Sequence, residues 1–121
     1  MIENNMGGIF INMDNNILPE VVLTSEEKVS YLNSMIGRIY KVLHLIEEEG
    51  ETGYSPTAYI AGIMFELNAA DFLYENKFVT MIIKLEGIRK QYREMEFKDI
   101  KKQIFEIKRI LKSMIREITG V

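Results

Sequence analysis

Cysteine is absent from this 121-residue chain, and histidine occurs once, as His44. The first absence excludes disulfides, thiolate catalysis and cysteine-ligated metal. The second leaves a nucleophilic triad one imidazole to draw on. Glycine-rich phosphate loops are missing too, with neither a G-x-x-x-x-G-K-[ST] nor a G-x-G-x-x-G pattern. Asp14-Asn15-Asn16 lacks the glycine and the acidic spacing of a calcium loop. No apolar run approaches the ~20 residues that cross a bilayer, and residues 1–8 contain no basic signal-peptide start. These absences set the expectations: cytoplasmic, off the membrane, without cofactor or metal, and not an enzyme.

What is present is ordinary in amount and uneven in placement. Apolar residues make up 47% and charged residues 27%, which suits one folded domain rather than a disordered chain. The formal net charge of −3 conceals a division: residues 1–76 carry a net −9, and residues 77–121 a net +6. Such a chain either folds its halves against each other or offers the basic half to an acidic partner.

Periodicity predicts an all-α protein, an antiparallel bundle of about four helices (residues 24–121) preceded by a short extended arm (residues 1–23). The arm holds Gly7-Gly8, Ile9-Phe10-Ile11, a turn at Met13 to Asn16, and Ile17-Leu18-Pro19. Pro19 argues against a central strand there. A first helix starts at Thr24, whose spacing to Glu27 is that of a capping box. Its stripe is Val29, Leu32, Ile36, Ile39, Leu43 and Ile46, widened by Met35 and Val42, with Gly50 as its stop.

Ser55 and Pro56 open a second helix. It is apolar nearly all round and is expected to be the most buried element. A third helix covers 77–95, with Met81, Leu85, Ile88, Tyr92 and Met95 inward; one bent helix over 56–95 is the alternative. Short connections make neighbours antiparallel. That would bring Glu47, Glu48 and Glu49 to the same pole as Lys98, Lys101 and Lys102, where each group offsets a misplaced charge on a helix dipole.

The last helix, 98–119, separates its faces most cleanly. Ile100, Ile104, Ile107, Leu111, Met114 and Ile118 recur at four, three, four, three and four residues. Lys98, Lys101, Lys102, Lys108, Arg109, Lys112 and Arg116 all fall within an arc of roughly 120°, with Phe105 in its middle. A basic strip centred on an aromatic reads as an interface. A protein partner or a second copy of the chain, as a homodimer, is the favoured occupant; nucleic acid, contacted through phosphates, is the alternative. Membrane binding is disfavoured because the apolar face is needed for the core.

Three other groups bear on chemistry. His44 falls at the edge of a polar face, a surface position with no orienting carboxylate expected one turn away. Asn68, Asp71 and Glu75 share a narrow stripe that reads as a solvated edge. Glu66 lies in an apolar sector with Gly62, Ala70, Leu73 and Tyr59. It is the candidate buried carboxylate, expected to pair with a lysine such as Lys84; an enclosed small-ligand site beside it is the enzyme alternative.

Overall fold

The computed structural model describes residues 23–51, 53–70 and 76–120. Four helices account for most of them: α1 (Ser25–Glu47), α2 (Pro56–Ala69), α3 (Asn76–Gln91) and α4 (Phe97–Thr119), with a 3-10 turn at Tyr92–Glu94 before α4. Among the described residues there is no strand, and no helix long and apolar enough to cross a membrane. The arm expected over 1–23 lies outside the described residues, apart from Leu23.

Local chemistry starts and stops these helices. The Thr24 hydroxyl accepts from the Glu27 amide at 3.1 Å, and Glu27 Oε1 accepts from the Thr24 amide at 2.8 Å, so the capping box is complete. Thr24→Ala removes half of this exchange and should cost about 0.5–2 kcal/mol, read as a lower urea midpoint. Ser55 caps α2 by accepting from the Ala58 amide, and Pro56 fits the first turn, where no amide donor is needed. Gly120 closes α4 at φ +78°, and its N–H donates to the Arg116 carbonyl.

The topology is up-down-up-down. Arg38 meets Glu66 across α1 and α2, Lys77 meets Glu117 and Lys84 meets Glu106 across α3 and α4, and Tyr40 meets Phe105 across α1 and α4. Rising numbers on α3 against falling numbers on α4 make that pair antiparallel, and Tyr40 on Phe105 with Glu49 on Arg93 does the same for α1 and α4; the short connection from α1 to α2 reverses the chain between them. One pole therefore gathers Ser25, Ala69, Asn76 and Thr119, and is called here the entry pole. The opposite pole gathers Glu47, Pro56, Gln91 and Phe97. α1 packs most extensively on α4.

The core is the stripe of each helix meeting in the middle. Leu32, Ile39, Ile60, Ile63, Leu67, Met81, Leu85, Ile88, Ile104, Ile107 and Leu111 are buried. Each inward position expected for α4 is buried except Ile118, which is half-buried near the helix end.

The separate second and third helices form as expected, and the single bent helix over 56–95 does not: α2 ends at Ala69, Ala70 turns extended, and α3 begins at Asn76. Two expectations need correction. α3 stops at Gln91 rather than running to Met95, because Tyr92–Glu94 tighten into the 3-10 turn. And α2 is not the most buried element. Ala58, Ala61, Gly62, Phe65 and Ala69 all face water. A helix in a four-helix square has one inward sector, so apolar residues on the remaining arc have nothing to pack on.

Candidate interaction surface

The outward side of the α1–α4 seam carries the chemistry. Phe105 stands at its centre, 39% exposed, and meets the Tyr40 ring edge-on with centroids 5.9 Å apart. Lys108 Nζ sits 5.4 Å from the Tyr40 centroid, a cation–π contact. Phe105 is thus neither swallowed by the core nor free: one edge is anchored and the rest is open. Tyr40 was not anticipated as its support, because a contact between helices depends on their register.

The basic strip surrounds this ring. Lys98 leans to Glu96 at 3.5 Å. Lys101, Lys102, Arg109, Lys112 and Arg116 are exposed and form no ion pair among the described residues. The cations that do pair lie elsewhere: Lys84 on Glu106, Lys77 on Glu117, Arg89 and Lys90 on Glu86. The hydrogen bond from Lys84 holds the Glu106 carboxyl below the usual carboxylate range against the opposing effect of burial, helped by the Lys84, Lys102 and Arg109 charges. Glu86, bonded by Arg89 and then by Lys90, is held down to about 2.

The remaining expected site residues settle as follows. Glu66 is half-exposed and binds Arg38 of α1, not Lys84, so no enclosed carboxylate exists there. Lys84 turns instead to Gln103 and Glu106 of α4. Arg38 is raised above its ordinary value: burial lowers it, but hydrogen bonds to Glu66 and Tyr59 outweigh that. Arg38 and Lys41 also sit about 6 Å over the Tyr59 ring, at 5.9 and 6.0 Å.

His44 is exposed as expected, but a carboxylate does sit one turn on: Glu48 Oε1 is 3.3 Å from Nε2. Asn68 is exposed; Asp71 and Glu75 lie outside the described residues. The acidic triplet does share a pole with the start of α4, yet Glu49 pairs with Arg93 and Tyr92 rather than with Lys98, Lys101 or Lys102. The 3-10 turn brings Tyr92 and Arg93 beneath the end of α1 before α4 begins.

A second surface was missed in the sequence. Phe65 (76% exposed), Ile83 (65%) and Val79 (53%) stand out on α2 and α3 near the entry pole. The signal was α2's lack of amphipathicity, which was read as burial. Among the described residues no group of three or more His, Asp or Glu side chains is arranged to hold a metal. No protein-family model, no curated protein and no solved structure matches this chain.

Proposed function

We propose that the protein is a non-enzymatic interaction module that self-associates through the Phe105-centred face of α4. One observation carries this: five exposed cations that form no ion pair among the described residues surround a half-anchored aromatic ring. Unpaired like charges on one strip attract an acidic surface, and a ring held on one edge gives contact energy without the cost of ordering a loose side chain.

Charge also selects how two copies meet. Laying α4 directly on α4 about Phe105 sets cations on cations in either orientation, Lys101 opposite Arg109 and Lys98 opposite Lys112 in the antiparallel one. The pairing that avoids this is an antiparallel two-fold one shifted toward α1, which brings Glu47 of each copy towards the Lys112 and Arg116 end of the other's α4. Glu47 lies seven residues from Tyr40 on the same side of α1 and is exposed, so it is available for this role.

Size exclusion with light scattering tests the reading. The expected result is a mass of two chains at low salt that falls as salt rises, and a single-chain mass for Phe105→Ala combined with Lys101→Glu and Arg109→Glu. These positions are surface-exposed and unpaired, or anchored on one edge only, so circular dichroism should show the fold retained. A single-chain mass for the unmodified protein at every concentration and salt would sink self-association. Steeply salt-dependent retention on heparin or DNA by that monomer would favour the nucleic-acid alternative.

A further inference from the structure

The edge of the bundle formed by α2 and α3 lies opposite the α1–α4 seam, since α2 packs on α1 and on α3, and α3 packs on α4. Its outer face is apolar and open. Phe65, Ile83 and Val79 are 76%, 65% and 53% exposed there. On α2, Ala58, Gly62 and Ala69 are exposed in the same sector as Phe65. A side chain begun at Gly62 would meet no other atom within 4 Å among the described residues. The face thus carries one bulky knob, Phe65, beside a shallow floor one turn away.

We infer that this face pairs with the same face of a second copy, as an antiparallel two-fold contact separate from the one through α4. Three observations point to a second copy. The first is register. α2 ends at Ala69 and α3 starts at Asn76, at the same pole. Phe65 and Gly62 are four and seven residues from Ala69, while Val79 and Ile83 are three and seven from Asn76. Phe65 is therefore level with Val79, and Gly62 with Ile83. A two-fold axis lying across both helices keeps α2 over α2 and α3 over α3 and reverses their directions. The rotation that sets Phe65 of one copy over Gly62 of the other also sets Val79 over Ile83 and Ala58 over Ala69. Each pair occurs twice. Knob meets floor on α2, and aliphatic meets aliphatic on α3, about a single axis.

The second is charge. Over Pro56–Ala69 the only charged residue is Glu66, which Arg38 holds on the α1 side. On α3, Lys77 and Lys84 turn to α4, and Glu86 is bonded by Arg89 and Lys90. The face offers a charged partner little to recognise. Two copies of it do not repel, as two basic strips would.

The third is area. α2 is ~21 Å long and two adjacent helices are ~20 Å wide, so the face spans roughly 400 Å². A contiguous apolar patch of that size commonly marks a contact. It is about half of the ~800 Å² that a stable dimer buries per partner. The contact is therefore weak, and forms in concentrated protein or between copies already assembled through α4. Because the two faces lie on opposite edges, use of both builds an open row of copies rather than a closed pair. That growth rests on the reading proposed above; the apolar contact does not.

Sedimentation of the full chain in ~1 M salt, where the Debye length is about 3 Å, screens the charge-steered contact and leaves this one. The mass should rise from one chain at micromolar to two chains at millimolar concentration. Phe65→Ser with Ile83→Ser changes two exposed positions, so it should keep the helical circular dichroism and stay at one chain throughout. Gly62→Leu adds apolar surface at an open position and improves helix propensity. It should nevertheless weaken the pairing roughly tenfold, because the leucine occupies the floor beneath Phe65.

A single-chain mass at every concentration in ~1 M salt overturns the pairing and leaves the face to a different protein. Pairing that is unchanged or tightened by Gly62→Leu overturns it as well, in favour of adhesion without register. At low salt, masses beyond two chains at millimolar concentration, cut back to two by Phe65→Ser with Ile83→Ser, uphold the joint use of both faces; a ceiling of two chains overturns that joint use alone. Failure of the α4 reading shows itself separately, as no salt-dependent pairing at micromolar concentration, and the high-salt comparison still decides the apolar contact.

Discussion

Ile104→Ala is expected to destabilise the bundle by about 2–5 kcal/mol, the range for truncating a buried aliphatic side chain. Ile104 has no exposed surface and belongs to the cluster shared by all four helices. Its loss removes the transfer energy of three carbons and leaves a void that rigid neighbours close only in part. Against a total of about 5–15 kcal/mol for a domain, that is a large fraction. Phe65→Ala removes a larger side chain but should change stability by no more than about 0.5 kcal/mol, because Phe65 is 76% exposed and loses little packing. Urea titration decides between them: a lowered midpoint with unchanged slope for Ile104→Ala, and coincident curves for Phe65→Ala. Comparable losses for both would mean that α2 is seated differently, with Phe65 inside.

That contrast shows what the sequence could and could not specify. α4 was legible to the residue because its two faces differ in every turn; the phase of the apolar stripe determines which way Phe105 and the cations point. α1 was legible for the same reason, helped by the reciprocal Thr24–Glu27 signal at its start. α2 carries a clear start and no phase. With apolar residues on all sides, nothing marks which sector faces inward, and Phe65 reads like Ile63.

The Glu66 expectation failed from the same cause. An error in the azimuth of α2 moves Glu66 from the α1 side, where Arg38 waits, to the interior. Contacts between helices, such as Tyr40 with Phe105 or Glu49 with Tyr92, depend on register and loop path, which a single sequence does not display. The His44–Glu48 pair is different: its spacing of four was open to inspection and went unread.

Tyr92→Ala should be nearly as damaging as the loss of a central aliphatic, at about 3 kcal/mol or more for an aromatic truncated in a packed site. Tyr92 is 5% exposed and closes the core where α3 gives way to the 3-10 turn. Its hydroxyl donates to Glu49 Oε2 at 2.6 Å, tying that turn to the end of α1, and Arg93 bonds the same oxygen while lying 5.1 Å from the Tyr92 ring. Tyr92→Phe keeps the packing and removes only the tie, so it should fall well short of the alanine loss.

The pH dependence of the tie separates the two contributions. The hydrogen bonds from Tyr92 and Arg93 lower Glu49 below its ordinary 4.5, against the effect of burial. The folded state therefore gains stability above 4.5 and loses it as pH falls through the depressed value. Glu86 behaves likewise, its contribution fading between 4.5 and about 2. Burial, and then donation to Glu49, raise Tyr92 above 10.0, so its contribution is complete below 10.0 and is lost as pH rises through the raised value.

Unfolding midpoints for the unmodified protein should thus show a plateau from about 4.5 to 10.0 as far as this tie is concerned, with a decline on each side. In Tyr92→Phe the alkaline decline due to this phenol should vanish, and the acid decline should shrink but persist through Arg93 and Glu86. An alkaline limb unchanged in Tyr92→Phe would show that the phenol does not hold the pole together.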